Sequence, residues 1–193
     1  NRKGQNLYAN CVLALDAATG KLKWHYQTTH HDILDRDLPA PPVLIQVKKD
    51  GKTIDALAQA TKQGYLFVLD RDTGLPVFPV DEVPMPKSDL PGEESWPTQP
   101  VPTLPKPYAR QNFDASMVND LHADSYDYLM KQFNTVRSGG PYLPPGLKTG
   151  IVFPGYDGGA EWGGQSYDPN TGIFYLNSNE MPWLLTMVDL TPD

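Results

Sequence analysis

The sequence predicts an all-β chain built from repeated hairpins, and three observations carry that prediction. The segments ALDAATGKLKW (14–24), VLDRDTGLPVF (68–78) and SYDPNTGIFYL (166–176) share the frame x-x-D-x-x-T-G followed by an apolar or aromatic strand. Apolar alternation leads into each turn, in LYANCVLAL, GYLFVL and GGQSY. Pro makes up 20 and Gly 16 of the 193 residues, and the prolines gather in stretches such as DEVPMPKSDLPGEESWPTQPVPTLPKP. That content is well above the usual Pro share of about 5% and leaves little of the chain for long helices.

Taken in order, each copy reads as strand, turn, strand. The Asp accepts hydrogen bonds from the turn amides, the Gly takes a positive φ, and an apolar strand leaves. The interval from Gly20 to Gly74 is about one four-stranded propeller blade with its loop, and the interval from Gly74 to Gly172 is nearly twice that. The excess is an insertion at about 79–148, Pro-rich at first. It then passes through NFDASMVNDLHADSYDYLMKQFNTVRSG, where the apolar positions 117, 118, 121, 129, 130 and 133 permit one or two helices. The whole chain is read as part of one β-propeller domain, with blade segments at about 1–78 and 149–193. One D-x-x-T-G is a generic hairpin; three in register point to radial repetition of sheets.

Composition narrows the function. Hydrophobic residues are 39% of the chain, ordinary for a globular domain, and the formal net charge is -7. No segment gathers Lys and Arg on one face, so nucleic acid is excluded as a partner. No apolar run approaches the roughly 18 residues of a membrane span. The opening NRKGQNLY has neither an initiator Met nor a signal-peptide core, which reads as a processed or truncated start. The one cysteine, Cys11, excludes an internal disulfide framework and a Cys-rich zinc site, and its strand-like neighbours predict a buried small hydrophobe.

The first repeat, through Ala14, Asp16, Gly20, Lys21 and Trp24, is similar to the tryptophan-docking motif of quinoprotein dehydrogenases, the eight-bladed propellers that carry pyrroloquinoline quinone (PQQ). The likeness continues through WHYQTTHHDILDRDLPAPPVL, ALAQATKQGYLFVLDRDTGLPVFPV, PGEESWPTQP, VFPGYDGGAEWGG and DPNTGIFYLNSNEMP, in the order of the membrane-associated glucose and quinate dehydrogenase branch. It implies about three blade-equivalents of a larger propeller, an internal fragment whose remaining blades lie elsewhere. It also implies a dehydrogenase that oxidises a sugar or other alcohol by hydride transfer to PQQ, with calcium as Lewis acid. The main calcium ligands are expected outside this chain, and no residue here is assigned to metal. Electrons would pass to a quinone or cytochrome, on the periplasmic side, with any membrane association carried by a missing N-terminal region. The fragment alone is expected to be inactive. The alternative is a non-enzymatic propeller scaffold with the same blade repeats. A scaffold has no use for Asp35, Lys62 and the Trp162 segment together.

Within the motifs, HHDILDRDLPAPP poses the sharpest choice. On residue type alone, Asp32, Asp35 and Asp37 solvate a turn before Pro39; the resemblance makes Asp35 the proton acceptor and Asp37 a second carboxylate near the cofactor. His30 and His31, adjacent in an extended segment, would point to opposite faces and not share an ion. One of them either orients the base loop or packs under it, and His31 is carried as a cofactor-side candidate beside a plain structural role. Leu34 and Arg36 depart from the family pattern and are expected to alter the substrate mouth. Lys62, in TKQG, matches the lysine that approaches the quinone oxygens, where a cation would stabilise charge on the reduced ring. Gln63 and Gly64 shape its turn. In FPGYDGGAEWGG, the glycines suggest close backbone approach to something flat. Trp162 is either a cofactor contact or blade packing, and Tyr156 stands where glucose-oxidising relatives carry Asn beside the cofactor. Asn177 and Asn179 either donate amides to a ligand or cap a turn, the turn being preferred, and SWPTQP supports the insertion.

Overall fold

A computed structural model describes residues 2–190. Its strands form five small antiparallel sheets. In the first repeat, β1 (Cys11–Leu15) pairs with β2 (Leu22–Gln27), setting Cys11 against Gln27 and Ala14 against Trp24. The second repeat contributes a meander of β3 (Val43–Lys49), β4 (Lys52–Ala60) and β5 (Leu66–Asp70). Asp50 and Gly51 between β3 and β4 both take positive φ, 51° and 73°, the backbone that a two-residue hairpin following the strand twist requires. In the third repeat, β9 (Gln165–Asp168) pairs with β10 (Ile173–Leu176); it is flanked by β8 (Gly150–Val152) paired with β11 (Trp183–Leu185).

All three repeat turns close through one mechanism. Asp16 Oδ1 accepts from the Thr19 amide at 2.9 Å and the Thr19 hydroxyl at 2.8 Å, and Asp70 Oδ1 accepts from the same two groups of Thr73 at 2.9 Å each. Asp168 accepts from the Asn170 amide at 2.9 Å and the Thr171 hydroxyl at 2.8 Å. Acceptance from the Thr19 hydroxyl and amide holds the Asp16 carboxyl below its ordinary pKa, and the Thr73 amide and hydroxyl do the same for Asp70.

The middle sheet is buried on both faces along the second half of β4 and along β5. Along β4, Ala56, Ala58 and Ala60 point to one core with Leu66, Val68 and Ala160, against which Phe174 of the third repeat packs. The intervening Leu57 points to the other core with Phe67, Leu69 and Val12, where Trp24 of the first repeat packs. Period-two alternation thus feeds two cores from one strand, and the three repeats stack face to face. Trp24 fixes the first contact. Its indole lies on Gly74, where a Cβ would sit 2.5 Å from Cε3, and its Nε1 donates to Arg71 O at 3.1 Å. Fold and sequence therefore agree on a partial β-propeller.

Two details differ from expectation. The Pro-rich start of the insertion holds a ribbon of β6 (Val80–Pro84) and β7 (Thr98–Pro102), with Pro100 opposite Glu82. A two-stranded ribbon has a free edge on each strand, so a residue without an N–H is tolerated there. Cys11 is half-buried, its Sγ donating to Ala9 O at 3.3 Å, and burial pushes its thiol up to about 11. The expected helical stretch resolves into a 3₁₀ turn, Ala115–Met117, and one helix, α1 (Ala123–Phe133). No helix among the described residues is long and apolar enough to cross a membrane.

Candidate active site

The site begins with the loop that follows β2. Asp32 folds it: Oδ1 accepts from the Leu34 amide at 2.9 Å and Oδ2 from the Arg36 amide at 2.6 Å, while Asn10 Nδ2 donates to Asp32 at 3.0 Å and to Arg36 O at 2.8 Å. Asp35 stands at the apex with φ 58°, a left-handed conformation that Asp tolerates better than most residues. Side chains along this loop alternate. Leu34 and Arg36 are buried, while Asp35 and Asp37 face Lys62.

Arg36 corrects the expectation of a residue at the substrate mouth. Its guanidinium is wholly buried and donates from Nε and Nη2 to Pro141 O, at 3.2 and 3.0 Å, and from Nη1 to Pro154 O at 2.7 Å. It clamps the aspartate loop to two distant segments, and Leu34 is buried beside it.

Lys62 sits in a tight turn after β4, closed by the Gly64 amide donating to Thr61 O at 3.0 Å. Gly64 is required there: φ is 86°, and a Cβ would lie 2.5 Å from that of Ala109. Gln63 is buried and donates to the Thr29 hydroxyl at 2.5 Å and the Tyr142 hydroxyl at 3.1 Å, tying this turn to the start of the aspartate loop. The Lys62 ammonium meets Asp37 at 2.6 Å, Asp35 at 3.1 Å and Glu161 at 3.4 Å. Its side chain is 7% exposed, those of Asp35 and Asp37 64% and 51%. Burial alone would lower the Lys62 pKa; the close carboxylates of Asp37 and Asp35, with the charge of Glu161, outweigh it and hold the group above the ordinary lysine range. Burial raises the Glu161 carboxyl, Lys62 opposes that, and the charges of Asp37 and Asp157 add to it.

The histidines are held apart. His30 is fixed by its main chain, whose N–H donates to Gln99 Oε1 at 2.8 Å and whose C=O accepts from Gln99 Nε2 at 2.7 Å. Its ring lies between Gln27 Oε1 at 2.6 Å and Glu82 Oε1 at 3.1 Å, with Trp96 at its edge. His31 takes φ 42°, so the segment is not extended there as expected; its ring contacts Gly4 O at 2.7 Å and Glu93 at 3.2 Å. These partners, with Asn6 Nδ2 at 2.7 Å, lie outside the Lys62 cluster. The SWPTQP segment supports more than the insertion, since Gln99 pins the strand leading into the aspartate loop.

Tyr156 is half-buried, edge-on to Trp183 with ring centroids 5.6 Å apart. Burial raises its phenol, the charge of Arg36 opposes the rise and that of Asp35 adds to it; Arg36 Nη1 also donates to the carbonyl of the preceding Gly155 at 3.4 Å. Trp162 is 86% exposed, so its indole is not packed against the described blade segments. The glycines of its loop face the protein itself. A Cβ on Gly158 would lie 2.6 Å from Lys62 Cγ, and one on Gly159 2.9 Å from Gly64 Cα. Asn179 accepts from the Met181 amide at 3.1 Å, a turn cap. Sequence reasoning missed Glu161, Gln99 and the clamp of Arg36; Glu161 lay inside a quoted motif, with only its carboxylate as signal. Among the described residues no group of three or more His, Cys, Asp or Glu side chains is arranged to hold a metal ion.

Known proteins resemble this chain over nearly its whole length. The chain is 38% identical over 191 residues to quinoprotein glucose dehydrogenase of Gluconobacter oxydans (strain 621H), covering 98% of this chain and 24% of that protein. It is 38% identical over 189 residues to quinate/shikimate dehydrogenase (quinone) of Acinetobacter baylyi (strain ATCC 33305 / BD413 / ADP1), covering 96% of this chain and 23% of that protein. The chain thus spans about a quarter of the length of these relatives. Among solved structures, quinohemoprotein alcohol dehydrogenase from Comamonas testosteroni superposes with a TM-score of 0.58 at 27% identity, over 94% of this chain and 21% of that one. The family profile described as "PQQ: Glucose/ethanol/alcohol dehydrogenase, beta-propeller domain" matches residues 1–192, and the chain belongs to that family.

Proposed function

We propose that this chain carries the proton-accepting face of a PQQ-dependent dehydrogenase that oxidises a sugar or other polyol. The observation that carries the reading is the 3.1 Å contact between Lys62 Nζ and Asp35 Oδ2, which joins the two residues singled out from separate motifs. The residues present fit such a cofactor. A lysine held charged faces an exposed carboxylate, and the Trp162 indole, one residue beyond Glu161, is open to a flat ring. When bound, the quinone supplies the hydride acceptor and calcium the Lewis acid, the calcium's main ligands lying outside this chain.

The chain's own residues do the rest. Asp35, fixed at its apex by Asp32 and Arg36, accepts the substrate hydroxyl proton on a carboxylate oxygen. Lys62 keeps a positive charge beside that carboxylate, favouring negative charge developing nearby. Asp37 shares the ammonium and keeps Lys62 in place. The described parts of the two blade segments, 2–78 and 149–190, form the face, and the insertion braces it through Gln99 and Glu82. Tyr156, which follows the Gly155 carbonyl that Arg36 holds, bears on which alcohol fits; His31 serves as structural support. Electron transfer to a quinone or cytochrome and a periplasmic location complete the reading; the quinone acceptor is supported by kinship to a relative named quinate/shikimate dehydrogenase (quinone), and the location by the family resemblance.

The test is calorimetric titration of PQQ into the chain with calcium present, beside Asp35→Asn and Lys62→Ala. Saturable binding that weakens at least tenfold in Lys62→Ala is expected, with Asp35→Asn binding but inactive when assayed within the full enzyme. A folded chain in which Lys62→Ala binds PQQ as tightly as the parent would overturn the assignment.

A further inference from the structure

Glu161 reaches Lys62 from a different loop than the aspartates do. That loop is laid against Lys62 before the carboxylate arrives. The Gly159 amide donates to Lys62 O at 2.6 Å, the Ala160 amide to Thr61 O at 3.3 Å, and Gly158 leaves 2.6 Å between a hypothetical Cβ and Lys62 Cγ. With its stem 7% exposed, Lys62 cannot swing free, and its ammonium lies between the aspartate loop and Glu161. Resting on the site reading above, we propose that Glu161 is a positioning residue: acting through Lys62, it anchors the ammonium to the glycine-rich loop and limits how closely Lys62 pairs with Asp35.

Charge and exposure support this assignment. One ammonium meets three carboxylates, and Glu161, at 28% exposure, is the least solvated of them and so the least screened. Removing its charge leaves Asp35 and Asp37 as the remaining partners. The ammonium end then leans on the aspartates alone, so Asp35 carries a larger share of its pairing, while two better-solvated carboxylates hold the Lys62 proton less tightly than three.

Glu161→Gln keeps the shape and an acceptor oxygen while removing the charge. The readout is the side-chain titration of Lys62 by NMR in the isotopically labelled full chain, which needs no bound cofactor. Glu161→Gln is expected to lower the Lys62 titration midpoint by roughly 0.5 to 1 pH unit, the scale of losing one partly solvated opposite charge. Glu161→Asp should restore part of that shift. An unmoved Lys62 in Glu161→Gln, with Asp37→Asn still shifting it, would sink the proposal. The PQQ titration above separates the two readings. A Lys62 shift in a chain that binds no PQQ upholds the Glu161 contact and rejects the cofactor reading. PQQ binding with an unmoved Lys62 rejects the role of Glu161 alone.

Discussion

Replacing Arg36 with Met removes the clamp that holds the aspartate loop. Its guanidinium is fully buried, and two main-chain oxygens depend on it: Pro141 O, with donors at 3.0 and 3.2 Å, and Pro154 O, with one at 2.7 Å. Methionine fills most of the volume but donates nothing. Each buried carbonyl left without a partner costs about 1 to 3 kcal/mol. Working against that loss, the desolvation cost of the buried charge is returned when the charge is removed, which is why swapping buried ionic groups for apolar ones is sometimes neutral. With two carbonyls stranded and one charge relieved, a net loss of about 2 to 4 kcal/mol is expected. Against a typical total of about 5 to 15 kcal/mol, that is a visible drop in the urea midpoint. Arg36→Lys, which can reach one carbonyl but cannot fork, should fall between the two. The loop should also loosen, so the NMR titration of Lys62 should shift in Arg36→Met. A midpoint equal to or above the parent's, with Lys62 unmoved, would refute the clamp and return Arg36 to the substrate mouth.

Gln99→Ala strands the buried N–H and C=O of His30, and a loss of about 2 to 4 kcal/mol in urea unfolding is expected; less than about 1 kcal/mol would mean that water replaces both bonds. The Lys62 cluster also sets a pH dependence. Because the folded state holds the Lys62 proton more tightly than the unfolded chain, whose lysines titrate at about 10.4, its contribution is whole below that value and is lost as pH rises through the folded one. The stability gap between the parent and Lys62→Met should therefore narrow as pH rises above about 10; a constant gap measured by denaturant unfolding at each pH would contradict the cluster's electrostatics.

Local chemistry is what the sequence alone determines here. The Asp side chains of the three Asp-x-x-Thr-Gly turns accept from residues three positions away or fewer, and the Gly amide bonds the Asp carbonyl four back, so motif and geometry coincide. Family membership follows from the same short-range patterns repeated in order. The docking of Trp24 was visible as a motif, although its landing place, Gly74, lies in another repeat. Lys62 and Asp35 were legible as candidates, and only the fold shows them in contact.

What the tertiary structure alone decides is which face a polar residue presents and what it meets. Asp35, Arg36 and Asp37 are neighbours in the chain, yet the turn that Asp32 folds sends the two carboxylates to Lys62 and the guanidinium to carbonyls 105 and 118 residues away. Nothing in a one-dimensional spacing encodes those partners, because a buried cation is satisfied by whatever main chain the packed repeats bring past it. Glu161 and Gln99 were silent in the sequence for the same reason: their roles consist of contacts between segments that only the stacked sheets place side by side.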